Sequence, residues 1–407
     1  MIPRVRAPEL PQNYSWLNTE KPLSLKQFKG RVVILDFWTY CCINCLHILP
    51  NLKYLEQKYK DSLTVIGVHS AKFDNEKETE NIRQAILRYD IEHPVLVDNN
   101  FRVWEEYAVR AWPTLIIIDP EGYVIGQISG EGNRDTLDEL IQKLIQQHQD
   151  KGTINFQELS LTLEKQRQPL ITPLAFPGKV LATPTGLFIA DSGHHRLIMS
   201  SFDGEILHLI GTGKSGLTDG AFNEAQFFAP QGMAYDAENQ ILYVADTENH
   251  TLRRVDLKRQ VVETIAGTGE QSRNIHPHGG AGLETALNSP WDLVKVGNTL
   301  FMHCLGVEYA ENFLWVADTY NHKIKLVSPS TGNCQTVLGD GTAGLQDGQG
   351  KNTRFFEPSG LSILSSHLYI ADTNNHAIRR VDLNTLEVTT LEFLGLCVPD
   401  VCIPPNL

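Results

Sequence analysis

Residues 1–150 alternate apolar runs of strand length with stretches of helical period. Arg31 to Trp38 is a near-continuous apolar run and predicts a buried strand, because a strand covered on both faces shows no polar alternation. Leu46, Leu49, Leu52 and Leu55 then recur at helical spacing, predicting a helix over 46–59. A second strand is expected over 63–68 and a polar helix over 75–89. The acidic start of that helix, Asp74 to Glu80, reads as a solvated N-terminus. The runs 115–118 and 123–128 flank Asp119-Pro120-Glu121-Gly122, a turn sequence, and so predict a hairpin. A helix over 135–147 closes the region. Strands alternating with helices make residues 1–150 an α/β sheet domain.

The pattern then changes. Residues 151–169 are polar, contain Pro169, and read as a linker. From residue 170 the chain repeats itself: Ile189-Ala-Asp-Ser-Gly-His-His195, Val244-Ala-Asp-Thr-Glu-Asn-His250, Val316-Ala-Asp-Thr-Tyr-Asn-His322 and Ile370-Ala-Asp-Thr-Asn-Asn-His376. Glycine pairs (Gly211/Gly213, Gly267/Gly269, Gly339/Gly341) follow the first three copies at one phase. A Pro-x-Gly or Pro-x-Asp element precedes the next strand. Short strands with periodic turns predict β-propeller blades over 170–395, with 396–407 as a tail. Asn249-His250, Asn321-His322 and Asn375-His376 give this region a resemblance to the NHL-repeat family.

The motif aspartates Asp191, Asp246, Asp318 and Asp372 stand 55, 72 and 54 residues apart. The long middle interval holds a front end, 290–301, without a motif of its own. It reads as a truncated blade beside four clear ones. Six blades at this interval would separate the outer aspartates by about 270 residues, against the 181 present. A distorted or incompletely closed ring is expected, with its fault between 290 and 312.

Composition narrows the function classes. The 407 residues are 42% hydrophobic and 20% charged, enough for a real core. The formal charge is −13, with −4 on residues 1–150 and −9 on the rest. Neither part is basic, so neither nucleic acid nor an anionic membrane is expected as a partner. No apolar run approaches the roughly 18 residues that cross a bilayer, and the N-terminus lacks the apolar stretch of a signal peptide. A cytoplasmic monomer is expected.

Seven cysteines are too few for a disulfide scaffold, yet Cys41, Cys42 and Cys45 fall within five residues. A Cys-x-x-Cys after a strand and opening a helix is the thioredoxin arrangement. Helix N–H groups would stabilise a Cys42 thiolate, and Cys45 lies one turn on. With the segment Leu25 to Val33 and the insertion between 70 and 95, the chain resembles thiol-disulfide oxidoreductases of the TlpA/ResA type over roughly residues 20–147. The resemblance implies a cis peptide at Pro113 facing the cysteines, a proton-accepting role for Asp36, and Cys41 and Trp38 as neighbours of the redox pair. Ile43-Asn44 replaces the usual Gly-Pro, and with no cation between the cysteines, thiolate stabilisation would rest on the helix terminus alone. Cys41 is expected to pack as a small apolar residue. Two further readings are a thioredoxin fold without redox activity and metal binding by Cys41, Cys42, Cys45 and His47, which lacks paired Cys-x₂-Cys sets. No cofactor or metal is expected. The G-x-G-x-x-G matches recur at one phase of the repeat and read as blade turns, and the repeat histidines as structural. Cys304, Cys334, Cys397 and Cys402 read as buried or tail thiols.

A thioredoxin-like domain with Cys-Cys-Ile-Asn-Cys, followed by NHL repeats, resembles the NHL repeat-containing protein 2 family. That family pairs the domain with six blades and a further β-rich C-terminal domain. Two functions stay open. The chain is an oxidoreductase acting on a protein disulfide or thiol, with a propeller whose face holds a protein partner, or a scaffold in which both domains bind and neither catalyses.

Overall fold

The computed structural model describes residues 4–131, 133–157, 161–167, 172–272, 279–296 and 313–393. These form two compact units, Met1–Ile171 and Thr172–Leu407.

The first unit is built on a seven-stranded sheet. Its elements are β1 (Val5–Arg6), β2 (Trp16–Leu17), β3 (Val32–Trp38), α1 (Ile43–Lys58), β4 (Leu63–His69), α2 (Thr79–Arg88), β5 (Val95–Val97), α3 (Arg102–Glu106), β6 (Thr114–Ile118), β7 (Tyr123–Ser129), α4 (Arg134–Asp150) and α5 (Glu164–Arg167). The strand order is β1-β7-β6-β3-β4-β5-β2. The apolar run at 31–38 is central β3, parallel to β4 and antiparallel to β6. Every residue of β3 is buried. Successive side chains on a strand point to opposite faces. Val33, Leu35 and Phe37 pack toward the N-terminal segment and α3, while Val32 and Ile34 pack under α1 and α4. That alternation places Asp36 on the α1 side, in line with Ile34 and Trp38.

The predicted polar helix is divided into a 3-10 turn, Asp74–Lys77, and α2. The segment read as a linker is docked over its described part. The N–H groups of Asn155 and Gln157 donate to the carbonyls of Gly30 and Asp61. Glu164, 3% exposed, accepts from Arg83 at 2.8 Å, and its N–H donates to Asn18 Oδ1 at 2.7 Å. Its polar composition serves hydrogen bonds to this unit.

The second unit is all β and carries four blades. The first is β8 (Lys179–Thr183), β9 (Gly186–Asp191), β10 (Arg196–Ser200) and β11 (Ile206–Ile210). The second is β13 (Pro230–Asp236), β14 (Ile241–Asp246), β15 (Thr251–Asp256) and β16 (Val261–Ala266), with the short β12 (Gly220–Ala221) on its outer edge. The third repeats this with β17 (Gly279–Gly280), β18 (Pro290–Val296), β19 (Phe313–Asp318), β20 (Lys323–Val327) and β21 (Cys334–Leu338). The fourth does so with β22 (Gly348–Gln349), β23 (Pro358–Leu364), β24 (His367–Asp372), β25 (Ala377–Asp382) and β26 (Glu387–Thr390).

The truncated-blade reading is corrected here. The front end at 290–296 is β18, paired along its length with β19 as the inner strand of the third blade. Leu293 and Val294 pack in the apolar clusters that the third blade shares with its neighbours, so the described part of this front end, 290–296, is not a stub. Residues 297–312, which lengthen the middle interval, lie outside the described residues, as do Cys304, Cys397 and Cys402. The inner strands pack consecutively, β8 on β13, β13 on β18 and β18 on β23, but β23 and β8 do not pack on each other in the same way. The weak junction is therefore between the fourth and first blades, not at 290–296.

The repeat motifs build each blade. The paired glycines all have positive φ, as blade turns require. His195, His250 and His322 each accept, at Nδ1, a backbone N–H of the following blade, from Ala229, Ser289 and Glu357 at 3.0–3.2 Å. They are stitches between blades, as their recurrence implied.

Candidate active site

Cys42 is the N-cap of α1, with extended backbone (φ −99°, ψ 107°), and is half-buried; Cys45 is buried one turn inside. Both thiols are free. The Cys45 thiol donates to Cys42. With the N–H groups of Cys45 and Asn44 and the Lys72 ammonium, that bond holds Cys42 down to about 7 against the opposing effect of burial. Burial first, then the bond to Cys42 and the charges of Cys42 and Asp36, hold the Cys45 thiol well above its ordinary value. A half-buried low-pKa nucleophile paired with a buried protonated thiol is the division of labour that disulfide exchange needs. Thiolate stabilisation thus does not rest on the helix terminus alone. The Cys45 thiol leads, and Lys72, outside the Cys-x-x-Cys, contributes.

Beneath the pair, Asp36 is fully buried, and neither carboxylate oxygen has a hydrogen-bond partner among the described residues. Burial raises its carboxyl to about 7, with Glu56 and Cys42 adding and His93 opposing. Trp38, also fully buried, shares an apolar cluster with Cys45, Leu49 and Ile82, against which Cys42 and Trp112 pack. The Trp112–Pro113 peptide is cis. Pro113 directly precedes Thr114, which pairs with Phe37, so it stands at the end of the sheet from which the cysteine loop leaves. The structure therefore gathers Cys42, Cys45, Asp36 and Trp38, with Pro113 at the same end.

Two expectations fail at one contact, between Cys41 and Glu76. Cys41 does not pack as an apolar side chain: it is exposed, and its thiol donates to the Glu76 carboxylate. Partial burial and that carboxylate push Cys41 up to about 12. Glu76 in turn departs from the solvated reading of 74–80, for it is fully buried while Asp74, Lys77, Glu78 and Glu80 are exposed. One oxygen accepts from Thr39 Oγ1 at 2.5 Å and Cys41 N at 3.0 Å, the other from Lys72 N at 2.6 Å and Phe73 N at 2.8 Å. These bonds hold Glu76 below the usual carboxylate range although burial works against it. They clamp the 72–76 segment onto the cysteine loop. A Glu followed by Lys, Glu, Thr and Glu gives no sequence signal that one member turns inward.

His47 is bonded through Nδ1 to Glu131. Among the described residues the one group of side chains close enough to share a metal ion is Asp119, Glu121 and His148. Arg4 already bridges its two carboxylates, at 2.7 and 3.0 Å.

Residues 30–124 match the family model for thioredoxin-like domains, and residues 229–254 match the model for the NHL repeat. NHL repeat-containing protein 2 of Gallus gallus is 35% identical, over 97% of this chain and 72% of that protein. SUPPRESSOR OF QUENCHING 1 of Arabidopsis thaliana is 36% identical over 96% of this chain, which spans only 48% of that relative's length. The latter alignment runs over 510 positions, while 96% of 407 residues is about 390, so roughly 120 positions of the relative face no residue here. That is about two repeats at the 54- and 55-residue intervals between motif aspartates. Thiol-disulfide oxidoreductase ResA of Bacillus cereus is 32% identical over 124 residues, 30% of this chain and 69% of that protein. Among solved structures, a thiol-disulfide isomerase from Corynebacterium glutamicum covers 34% of this chain and 96% of its own, at 24% identity and a TM-score of 0.31. With its thioredoxin-like unit, NHL blades and near full-length match, the chain belongs to the NHL repeat-containing protein 2 family.

Proposed function

We propose that the first unit is a thiol-disulfide oxidoreductase acting on protein disulfides in the cytoplasm, and that the blades hold a protein partner or substrate. The observation that carries this reading is the asymmetric pair, a low-pKa Cys42 accepting from a high-pKa Cys45 above an unpaired buried carboxylate. Cys42 thiolate attacks the substrate disulfide, forming a mixed disulfide and releasing one substrate thiolate. Asp36 takes the proton of Cys45, whose thiolate attacks Cys42 sulfur and releases the second substrate thiolate. The protein dithiol is oxidised by two electrons and the substrate disulfide is reduced to two thiols. Pro113, at the same end of the sheet, shapes the surface on which the substrate docks. Resemblance to ResA, a protein named for this chemistry, supports the same reading.

The test is disulfide reduction by the full chain with a dithiol reductant, using insulin as substrate. Cys42→Ser abolishes turnover, and Cys45→Ser accumulates mixed disulfides through Cys42. A wild-type protein with no turnover, whose Cys45→Ser variant traps nothing, leaves the scaffold reading in its place.

A further inference from the structure

Asp36 must lose the proton it takes from Cys45, yet it has no route to water of its own. The strand opposite supplies one. Asp36 pairs in parallel register with Gly67 on β4. A side chain at 67 would lie 2.9 Å from Trp38 Nε1 and 3.4 Å from His93 Nε2, so glycine leaves the space that the His93 ring enters. His93 is 3% exposed, and its Nε2 has no hydrogen-bond partner among the described residues. Its Nδ1 bonds Glu56 Oε2 at 3.3 Å. The Glu56 side chain, on α1, is 25% exposed. The His93 backbone is fixed from both sides. Asn18 Nδ2 donates to the carbonyls of Ile91 and His93, at 2.7 and 2.9 Å, and Gly67 N donates to Pro94 O at 2.9 Å.

We propose that His93 is the proton outlet of Asp36, handing the proton taken from Cys45 to Glu56 and so to solvent. The inference rests on the oxidoreductase reading. Asp36 and His93 Nε2 are not hydrogen-bonded to each other, so a water between them carries the step: the Asp36 O–H bond breaks as the water takes that proton and gives one of its own to His93 Nε2. His93 then gives up its Nδ1 proton to the Glu56 carboxylate, which exchanges with water. No electrons move in this step. The groups facing the route are Cys42 and Cys45 from α1, Asp36 from β3 and Glu56 from α1, with Glu92 beside His93. Burial opposes a charge on His93, but Glu56 and Asp36 together hold its imidazolium above the ordinary histidine range. An unpaired nitrogen in so buried a place is costly unless it is used. His93 touches neither sulfur and is a positioning residue.

The test separates the two sulfur steps. The reduced full chain is mixed with one equivalent of an aromatic disulfide whose halves leave as coloured thiolates, the first on attack by Cys42 and the second on resolution by Cys45. Below pH 7, where part of Asp36 starts protonated and must shed that proton before it can accept from Cys45, His93→Gln leaves the first release within about twofold of wild type and slows the second about tenfold. Glu56→Gln, at a partly exposed position that does not threaten folding, slows the second release about threefold and leaves the first alone. Combining Asp36→Asn with His93→Gln is no slower than Asp36→Asn alone. A normal wild type with an unmoved second release in both single variants overturns this inference alone, as does a double variant whose slowing multiplies. A wild type that never releases the second thiolate overturns the oxidoreductase reading and this inference with it.

Discussion

The two units bury the same side chain to the same depth and treat it in opposite ways. In the blades, Asp246 and Asp372 have no exposure. One oxygen of each accepts a backbone N–H, from Phe228 at 2.7 Å and Phe356 at 2.8 Å. The other accepts from an asparagine, Asn249 at 2.8 Å or Asn375 at 2.9 Å. That oxygen also accepts from a fully buried guanidinium, Arg253 or Arg379, at 2.7 Å. In the first unit, Asp36 is equally inaccessible and has no hydrogen-bond partner among the described residues. A buried carboxylate whose two oxygens are both hydrogen-bonded specifies a turn. One left unsatisfied costs stability, and its use is to carry a proton.

Breaking a satisfied carboxylate should have the largest effect. Asp246→Ala removes the fully buried partner of Arg253 and leaves it only the half-exposed Asp219, a change worth about 3 kcal/mol. In urea unfolding, the second unit should lose that much while the first is unchanged. An effect below 1 kcal/mol would erase the contrast.

Removing the unsatisfied carboxylate should do the reverse. Burial lifts Asp36 to about 7, from a value near 3.9 in the unfolded chain, so the folded state holds the proton more tightly. The wild type therefore loses stability as the pH rises between those values. Asp36→Asn should stabilise the first unit by about 2–4 kcal/mol at pH 8 and give no advantage below pH 4. Thermal unfolding of both proteins across that range checks the sign, and equal curves at pH 8 would contradict it.

Glu76 tests a third case, a buried carboxylate that is satisfied and also beside the reactive loop. Glu76→Gln should cost about 1–3 kcal/mol and release Cys41, whose alkylation at neutral pH should rise about tenfold. Cys41→Ala should leave the potential of the Cys42–Cys45 pair nearly unchanged. The smallest effect is expected at the stitches. His322→Ala removes one acceptor from Glu357 N and should cost about 1 kcal/mol, measured by the same urea titration.

How far the sequence reached follows the same division. The Cys-x-x-Cys, the aspartate within an apolar run and the repeated Ala-Asp-x-x-Asn-His are local patterns, and each stands where its spacing implied. Glu76 and His93 carry no such pattern. The inward turn of Glu76 depends on the 72–76 segment folding back over Thr39 and Cys41. The reach of His93 depends on a register that sets Gly67 against Asp36. The same reason explains 290–296, which lacks a motif of its own because it completes a blade whose motif comes only at 316–322. Residues distant in sequence complete these sites, and no window along the chain contains them.

The central claim is that Cys42 and Cys45 form a reversible redox pair. The full chain is equilibrated in glutathione buffers of graded potential, and the peptide containing residues 41–45 is read by mass spectrometry. The account predicts one two-electron transition, changing tenfold over about 30 mV, in which Cys42 and Cys45 join and Cys41 stays a free thiol. Absence of that disulfide at every potential, or a bond that includes Cys41, would contradict it.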